Sequence, residues 1–188
     1  MRIVAGTAGG RKIVAPDGTT TRPTAERVRE AMFNALYSLD AIEGARFVDL
    51  FAGSGALGLE ALSRGAGHVV FIERDRAALA AIEDNVAALG FDDVATIVSG
   101  DALRWLRAQP DLDVALADPP YDFEQWGDLL AALAATSCNL VVVESDNPVG
   151  DHPQWQISRE RTYGSTVVTM YERLGSASDS GAHEDTPR

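Results

Sequence analysis

From residue 46 onward, short apolar runs alternate with segments of helical period. Residues 47–51, 68–72, 94–98, 113–117 and 138–144 are runs of strand length bounded by turn residues, as buried strands are. Between them, 56–64, 102–107 and 123–135 carry helical patterns, and Gly65 stops the first. Alternation of this kind predicts an α/β fold with a doubly wound, mostly parallel sheet. The ending differs. Residues 155–163, Gly164 and 165–172 predict two antiparallel strands around a turn. Residues 145–153, with Pro148, Gly150 and Pro153, leave no room for a long crossover helix.

The start of the chain has its own pattern. Arg2-Ile3-Val4-Ala5-Gly6 and Arg11-Lys12-Ile13-Val14-Ala15 flank the turn signal Thr7-Ala8-Gly9-Gly10, which predicts a β-hairpin. Thr24 is a candidate cap for a helix reaching about residue 39, with Val28, Met32, Ala35, Leu36 and Leu39 on its apolar face. The organisation expected is a hairpin extension over 1–22 and a main domain over 23–174. A Ser-, Gly- and Asp-rich tail over 175–188 is expected to be disordered.

Two strand ends carry candidate chemistry. The run 47–51 leads into Ala52-Gly53-Ser54-Gly55-Ala56-Leu57-Gly58, whose glycines fit G-x-G-x-x-G, and Glu73 follows the next strand. That spacing suits a nucleotide, with an acid for ribose hydroxyls. It does not choose the cofactor. A pyrophosphate would sit at the helix N-terminus, close to Asp49, which is unfavourable. S-adenosylmethionine carries an ammonium and a sulfonium and no phosphate, so Asp49 favours it over NAD. Asp101 ends the third strand and is placed either to bind an adenine amine or to cap a helix. The cofactor-binding set is Asp49, Phe51, Gly53, Ser54, Gly55, Gly58, Glu73, Arg74, Asp101 and Ala102.

The second is Asp118-Pro119-Pro120-Tyr121, after the apolar run Val114-Ala115-Leu116-Ala117. An exocyclic ring amine is a poor nucleophile because its lone pair is delocalised. The Asp118 carboxylate and the Pro119 carbonyl can each accept one of its N–H groups and turn the lone pair toward an electrophile. Pro119 and Pro120 make the turn rigid. Tyr121 offers a face on which a base can stack. The bland reading of the same residues is an ordinary strand-ending turn. Four acids at strand ends on one edge of the sheet weigh against it. These four residues are the catalytic candidates.

Composition bounds the rest. The 188 residues suit one domain with a substantial core. A single cysteine, Cys138, excludes an internal disulfide and reads as a buried thiol. Cys and His are too sparse for a zinc site. No apolar run fits a signal peptide or a membrane span, so a cytoplasmic protein is expected. The net charge is −12, yet residues 1–30 hold six basic against three acidic groups. A nucleic acid would therefore meet the N-terminal segment favourably and most other surfaces unfavourably. Arg2, Arg11, Lys12, Arg22 and Arg27 are the candidates for contact, with Arg29 also near the helix start. The bland alternative is a solvated face.

The chain resembles the RsmD family of bacterial 16S rRNA (guanine-N2)-methyltransferases over about residues 2–174. The resemblance rests on Arg2 to Gly6 with Gly10-Arg11-Lys12, on Arg22-Pro23-Thr24-Ala25-Glu26-Arg27-Val28-Arg29-Glu30, on the block from Asp49 to Arg64, and on Asp118 to Tyr121. The last block is shared with other amino-methyltransferases, including DNA adenine and protein glutamine enzymes. The resemblance implies a Rossmann-like class I fold with a seven-stranded sheet and S-adenosylmethionine as methyl donor. It further implies a guanine presented on a small ribosomal subunit or its precursor, where ribosomal proteins would assist docking. A monomer is expected. A binding-only assembly factor is the alternative from another class, and the intact block at 118–121 speaks against it.

Overall fold

The computed structural model describes residues 1–16, 23–108 and 110–175, the side chains of 23–25 excepted. Arg22 and the tail beyond 175 therefore lie outside the described residues, as does the side chain of the expected cap Thr24. Seven strands form one sheet in the order β3-β2-β1-β4-β5-β7-β6. They are β1 (Arg46–Leu50), β2 (His68–Glu73), β3 (Ala95–Ser99), β4 (Val114–Ala117), β5 (Leu140–Ser145), β6 (Trp155–Tyr163) and β7 (Thr166–Arg173). The first five are parallel; β7 runs antiparallel to both β5 and β6. Neighbouring bounds differ from the sequence reading by a residue or two, the usual latitude at element ends.

Period-two alternation sorts the strand side chains into two cores. Phe47, Phe71, Val114, Leu116, Leu140, Val142, Val168 and Met170 face one side, under α1 (Pro23–Ser38), α2 (Ala56–Ser63) and α3 (Arg76–Leu89). Val48, Leu50, Ala115, Ala117, Val141, Val143 and Tyr171 face the other, under α4 (Ala102–Leu106) and α5 (Trp126–Ala134). Burial on both faces explains why β4 reads as an unbroken apolar run. Each fully buried Leu, Val or Phe contributes roughly 1.5–3 kcal/mol.

The direct passage from β5 to β6 is as expected: β5 ends at Ser145, and no helix intervenes before Trp155. Leu39 departs from expectation. It lies past the end of α1, where Asp40 turns the chain with φ 52°, and it is about half exposed (48%).

The N-terminal hairpin forms, but as a packed element. Ile3 N–H donates to Arg11 O (3.0 Å), Gly10 N–H to Ile3 O (2.8 Å) and Ile13 N–H to Met1 O (3.1 Å). Ile3, Ala8 and Ile13 are buried in the core under α1–α3. The hairpin is also tied to α2: Val4 and Ala5 N–H donate to the Glu60 carboxylate (2.7 and 3.1 Å), and Thr7 N–H donates to Ser63 O (2.7 Å). Gly6 (φ 81°) passes so close to Ser63 that no Cβ fits.

Candidate active site

The strand order reverses between β1 and β4, which pair directly while their neighbours diverge. Open sheets of this kind bind ligands beyond the carboxyl ends of strands at such a point. A cleft of about 640 Å³ lies there. Its lining includes Phe51, Gly53, Glu73, Arg74, Asp101 and Ala102 of the cofactor candidates and all four residues of the motif from Asp118 to Tyr121.

The glycine loop is built from the sheet outward. Phe51 (φ 62°) and Gly53 (φ 55°) turn the chain off β1, and Gly55 (φ 77°) starts α2. Gly53 N–H donates to Glu73 Oε2 (2.8 Å), while Glu73 Oε1 accepts from Arg74 and Asp75 N–H (2.7 and 2.9 Å). The ends of β1 and β2 are thus locked together. Asp101 accepts from Arg104 N–H at Oδ1 (2.9 Å) and caps α4 while also lining the cleft, so both roles considered for it are open to one side chain.

Four cofactor candidates, Asp49, Ser54, Gly55 and Gly58, do not line the cleft. Asp49 is buried and accepts Gly58 N–H (2.8 Å). Burial pushes its carboxyl well above the usual range; the Gly58 bond opposes that, and the charges of Asp118 and Glu73 add to it. Gly58 lets α2 approach β2: a Cβ there would stand 2.3 Å from the Phe71 ring. Ser54 turns toward the hairpin, its hydroxyl near Met1 Sδ (3.8 Å) and its carbonyl accepting from Asn85 (3.0 Å). Gly55 serves the turn into α2.

Just past β4, Asp118 is exposed and lines the cleft. Desolvation pushes its carboxyl up to about 7, with the Glu144 charge as the second cause. Pro119 is buried, Pro120 is exposed, and Tyr121 stands 89% exposed at the rim. Pro120 O accepts Phe123 N–H (2.9 Å), closing the turn. Phe123 packs edge-on against Phe51 (5.1 Å between centroids) and Trp126 (4.9 Å), an aromatic wall across the cleft. Reading the sequence did not single out Phe123 or Glu144. An aromatic two residues past Tyr121 and an acid ending the strand beside β4 were the available signals.

The lining sets Glu73, Asp101, Asp118, Asp122 and Glu124 against Arg74. An acid-rich cleft suits a cationic ligand and opposes a pyrophosphate. S-adenosylmethionine fits on that ground, with Phe51, Gly53, Glu73, Arg74, Asp101 and Ala102 the residues available to hold it.

Among the described residues, none of the basic candidates lines the cleft. Arg2 is exposed beside Glu26 (3.9 Å), and Lys12 and Arg27 are exposed. Arg11 donates to Ala88 O and Leu89 O, capping the C-terminus of α3 at the opposite edge of the sheet. Arg29 does not face a ligand: it is buried, its Nε 3.4 Å from Glu60 and its Nη2 donating to Arg2 O (2.5 Å). Cys138 is buried, and its thiol is pushed up to about 12 by desolvation.

This sheet order with its antiparallel end, and a cleft at the switch point, define the class of Rossmann-like methyltransferases. The chain belongs to the RsmD family: the family model described as "Conserved hypothetical protein 95" matches residues 1–172. It is 37% identical over 182 residues to "Ribosomal RNA small subunit methyltransferase D" of Escherichia coli strain K12, covering 92% of this chain and 90% of that one. The Haemophilus influenzae protein of the same name is 34% identical, covering 92% and 93%. Among solved structures, the Escherichia coli protein yhhF superposes with a TM-score of 0.81 at 34% identity, covering 92% of this chain and 97% of that one.

Proposed function

We propose that this chain transfers a methyl group from S-adenosylmethionine to the exocyclic N2 amine of a guanine in 16S rRNA, on the small ribosomal subunit or its precursor. The names of the relatives support rRNA as the substrate class. The observation that carries the chemistry is the placement of Asp118, Pro119 and exposed Tyr121 together on the rim of an acid-rich cleft.

When bound, S-adenosylmethionine supplies a methyl group activated by a sulfonium. The chain's residues do the rest. Tyr121 stacks on the guanine flipped from its loop. Asp118 and the Pro119 carbonyl accept the two N–H groups of N2 and orient its lone pair into the cleft. Phe51 and Phe123 exclude water from one side. Most of the rate comes from positioning and electrostatics. Among the described residues, exposed Lys12 and Arg27 are the basic candidates for phosphate, with Arg2 exposed beside Glu26, and Arg11 acts by holding the hairpin on α3.

Asp118→Ala is expected to nearly abolish turnover while S-adenosylmethionine binding, followed by calorimetry, stays close to wild type. Turnover near wild type in that variant would sink the mechanism.

A further inference from the structure

We infer that Glu144 is a positioning residue of the amine site: it acts through Asp118, making that carboxylate the better acceptor for the proton that the amine sheds on methylation. The inference rests on the function proposed above.

The sheet register brings the two acids together. β4 and β5 pair through Ala117↔Val143, so Asp118 and Glu144 take the next step on adjacent parallel strands. Alternation places them on one face. Val114 and Leu116 of β4 and Leu140 and Val142 of β5 all lie in the core under α1, and 118 and 144 continue those two rows. Neighbouring strands stand about 4.8 Å apart, so two side chains in that arrangement are neighbours. Asp118 has accessible surface in the cleft; Glu144 is partly buried behind it and does not line the cleft.

The surroundings of Glu144 decide which acid carries the charge. Burial raises the Glu144 carboxyl above the ordinary range, and from α1 the buried Arg29 guanidinium opposes that rise and favours the charged form. From β4 comes Asp118. From β7 the residue opposite is Val168, which is apolar, and beyond it on β6 stands exposed Arg161. Glu144 thus sits between a fixed cation and Asp118. A negative Glu144 disfavours a second negative charge on Asp118, which makes Asp118 the better proton acceptor.

In the reaction the N2 lone pair forms the C–N bond as the bond from the methyl carbon to sulfur breaks, its electron pair remaining on sulfur. The nitrogen then holds one proton too many. That proton passes to ionised Asp118 and from there to water. Glu144 touches neither the substrate nor the reacting atoms.

The test uses the full chain and two readouts. Carboxyl carbon-13 titration of the wild-type protein should show Asp118 and Glu144 titrating as a coupled pair. In Glu144→Gln the Asp118 midpoint should fall by about one pH unit. The acid limb of kcat/KM should move with it, a relative gain of about five-fold at pH 6. Glu144→Asp, which keeps the charge, should restore the limb. Independent single-site titrations in the wild type, or an unmoved Asp118 midpoint in a Glu144→Gln protein that binds S-adenosylmethionine normally, would overturn the inference. The titrations need no acceptor, so failure to methylate any RNA would count against the proposed function alone.

Discussion

Asp118 combines accessible surface with a raised carboxyl, and the combination fixes a pH dependence. Below about 7 the group is protonated, and one of its oxygens becomes a donor. A donor facing N2 cannot hold that amine, nor can it accept the departing proton. The rate of methyl transfer, as kcat/KM, should therefore fall as pH drops below about 7. Asp118→Asn keeps one carbonyl acceptor and cannot titrate, so its slower reaction should show no acid limb there. A pH–rate series on both proteins checks this; an identical limb in the Asn variant would assign it to another group. The same residue shows what a sequence can and cannot disclose. The motif from Asp118 to Tyr121 was legible because it is contiguous and follows a strand-like apolar run. Glu144 was not, because its meaning comes from strand register, which brings together residues far apart in the chain. Arg29 misled for a related reason: an arginine at a helix start reads as solvent-facing, and only packing against Glu60 shows it to be buried.

Elements were more legible than residue roles. β1, β4 and β5 were visible as apolar runs because burial on both faces demands it, whereas the edge strand β3 shows as a run although it is only half-buried. The glycine loop was visible too, but its glycines divide the work in a way spacing does not reveal. Gly53 lines the cleft, whereas Gly58 is a packing residue between α2 and β2. Gly58→Ala would press a methyl onto the buried Phe71 ring. Overpacking of this kind costs about 1–3 kcal/mol. The variant should unfold at lower denaturant concentration, with a smaller loss of S-adenosylmethionine affinity than of stability. Urea denaturation with and without the methyl donor measures both, and unchanged stability would show that α2 yields freely. The hairpin was legible as an element while its packing was not. Its charges suggest an arm, yet Ile3, Ala8 and Ile13 belong to the core, and Arg11 is engaged at the end of α3.

Across the whole molecule the acids with raised carboxyls weigh on stability. Asp49, Asp118 and Glu144 are all raised in the folded state, chiefly by desolvation. A raised acid binds more protons folded than unfolded, so its contribution is fully present below the ordinary carboxylate range and is lost as pH rises through the folded value. For Asp118 that window runs from about 4 to about 7; its accessible surface moderates its share. Asp111 and Asp113, lowered by Arg46, have the opposite sign but act below that window. Without ligand, the protein should therefore be more stable near pH 5 than near pH 8, as thermal melts at matched ionic strength would show. Melting temperatures that rise across that range would mean the acid cluster is better solvated than its surroundings imply. The molecule also keeps its net charge of −12 while acting, on this account, on an RNA. On the proposed reading, presentation of the guanine by a ribosomal particle would ease that tension. The decisive measurement is methyl transfer from radiolabelled S-adenosylmethionine to small ribosomal subunits lacking modification at this site, with naked 16S RNA and duplex DNA alongside. Label is expected in the particle's RNA, mapped to a guanine N2. Label on DNA or protein alone, or on no acceptor while S-adenosylmethionine still binds, would contradict it.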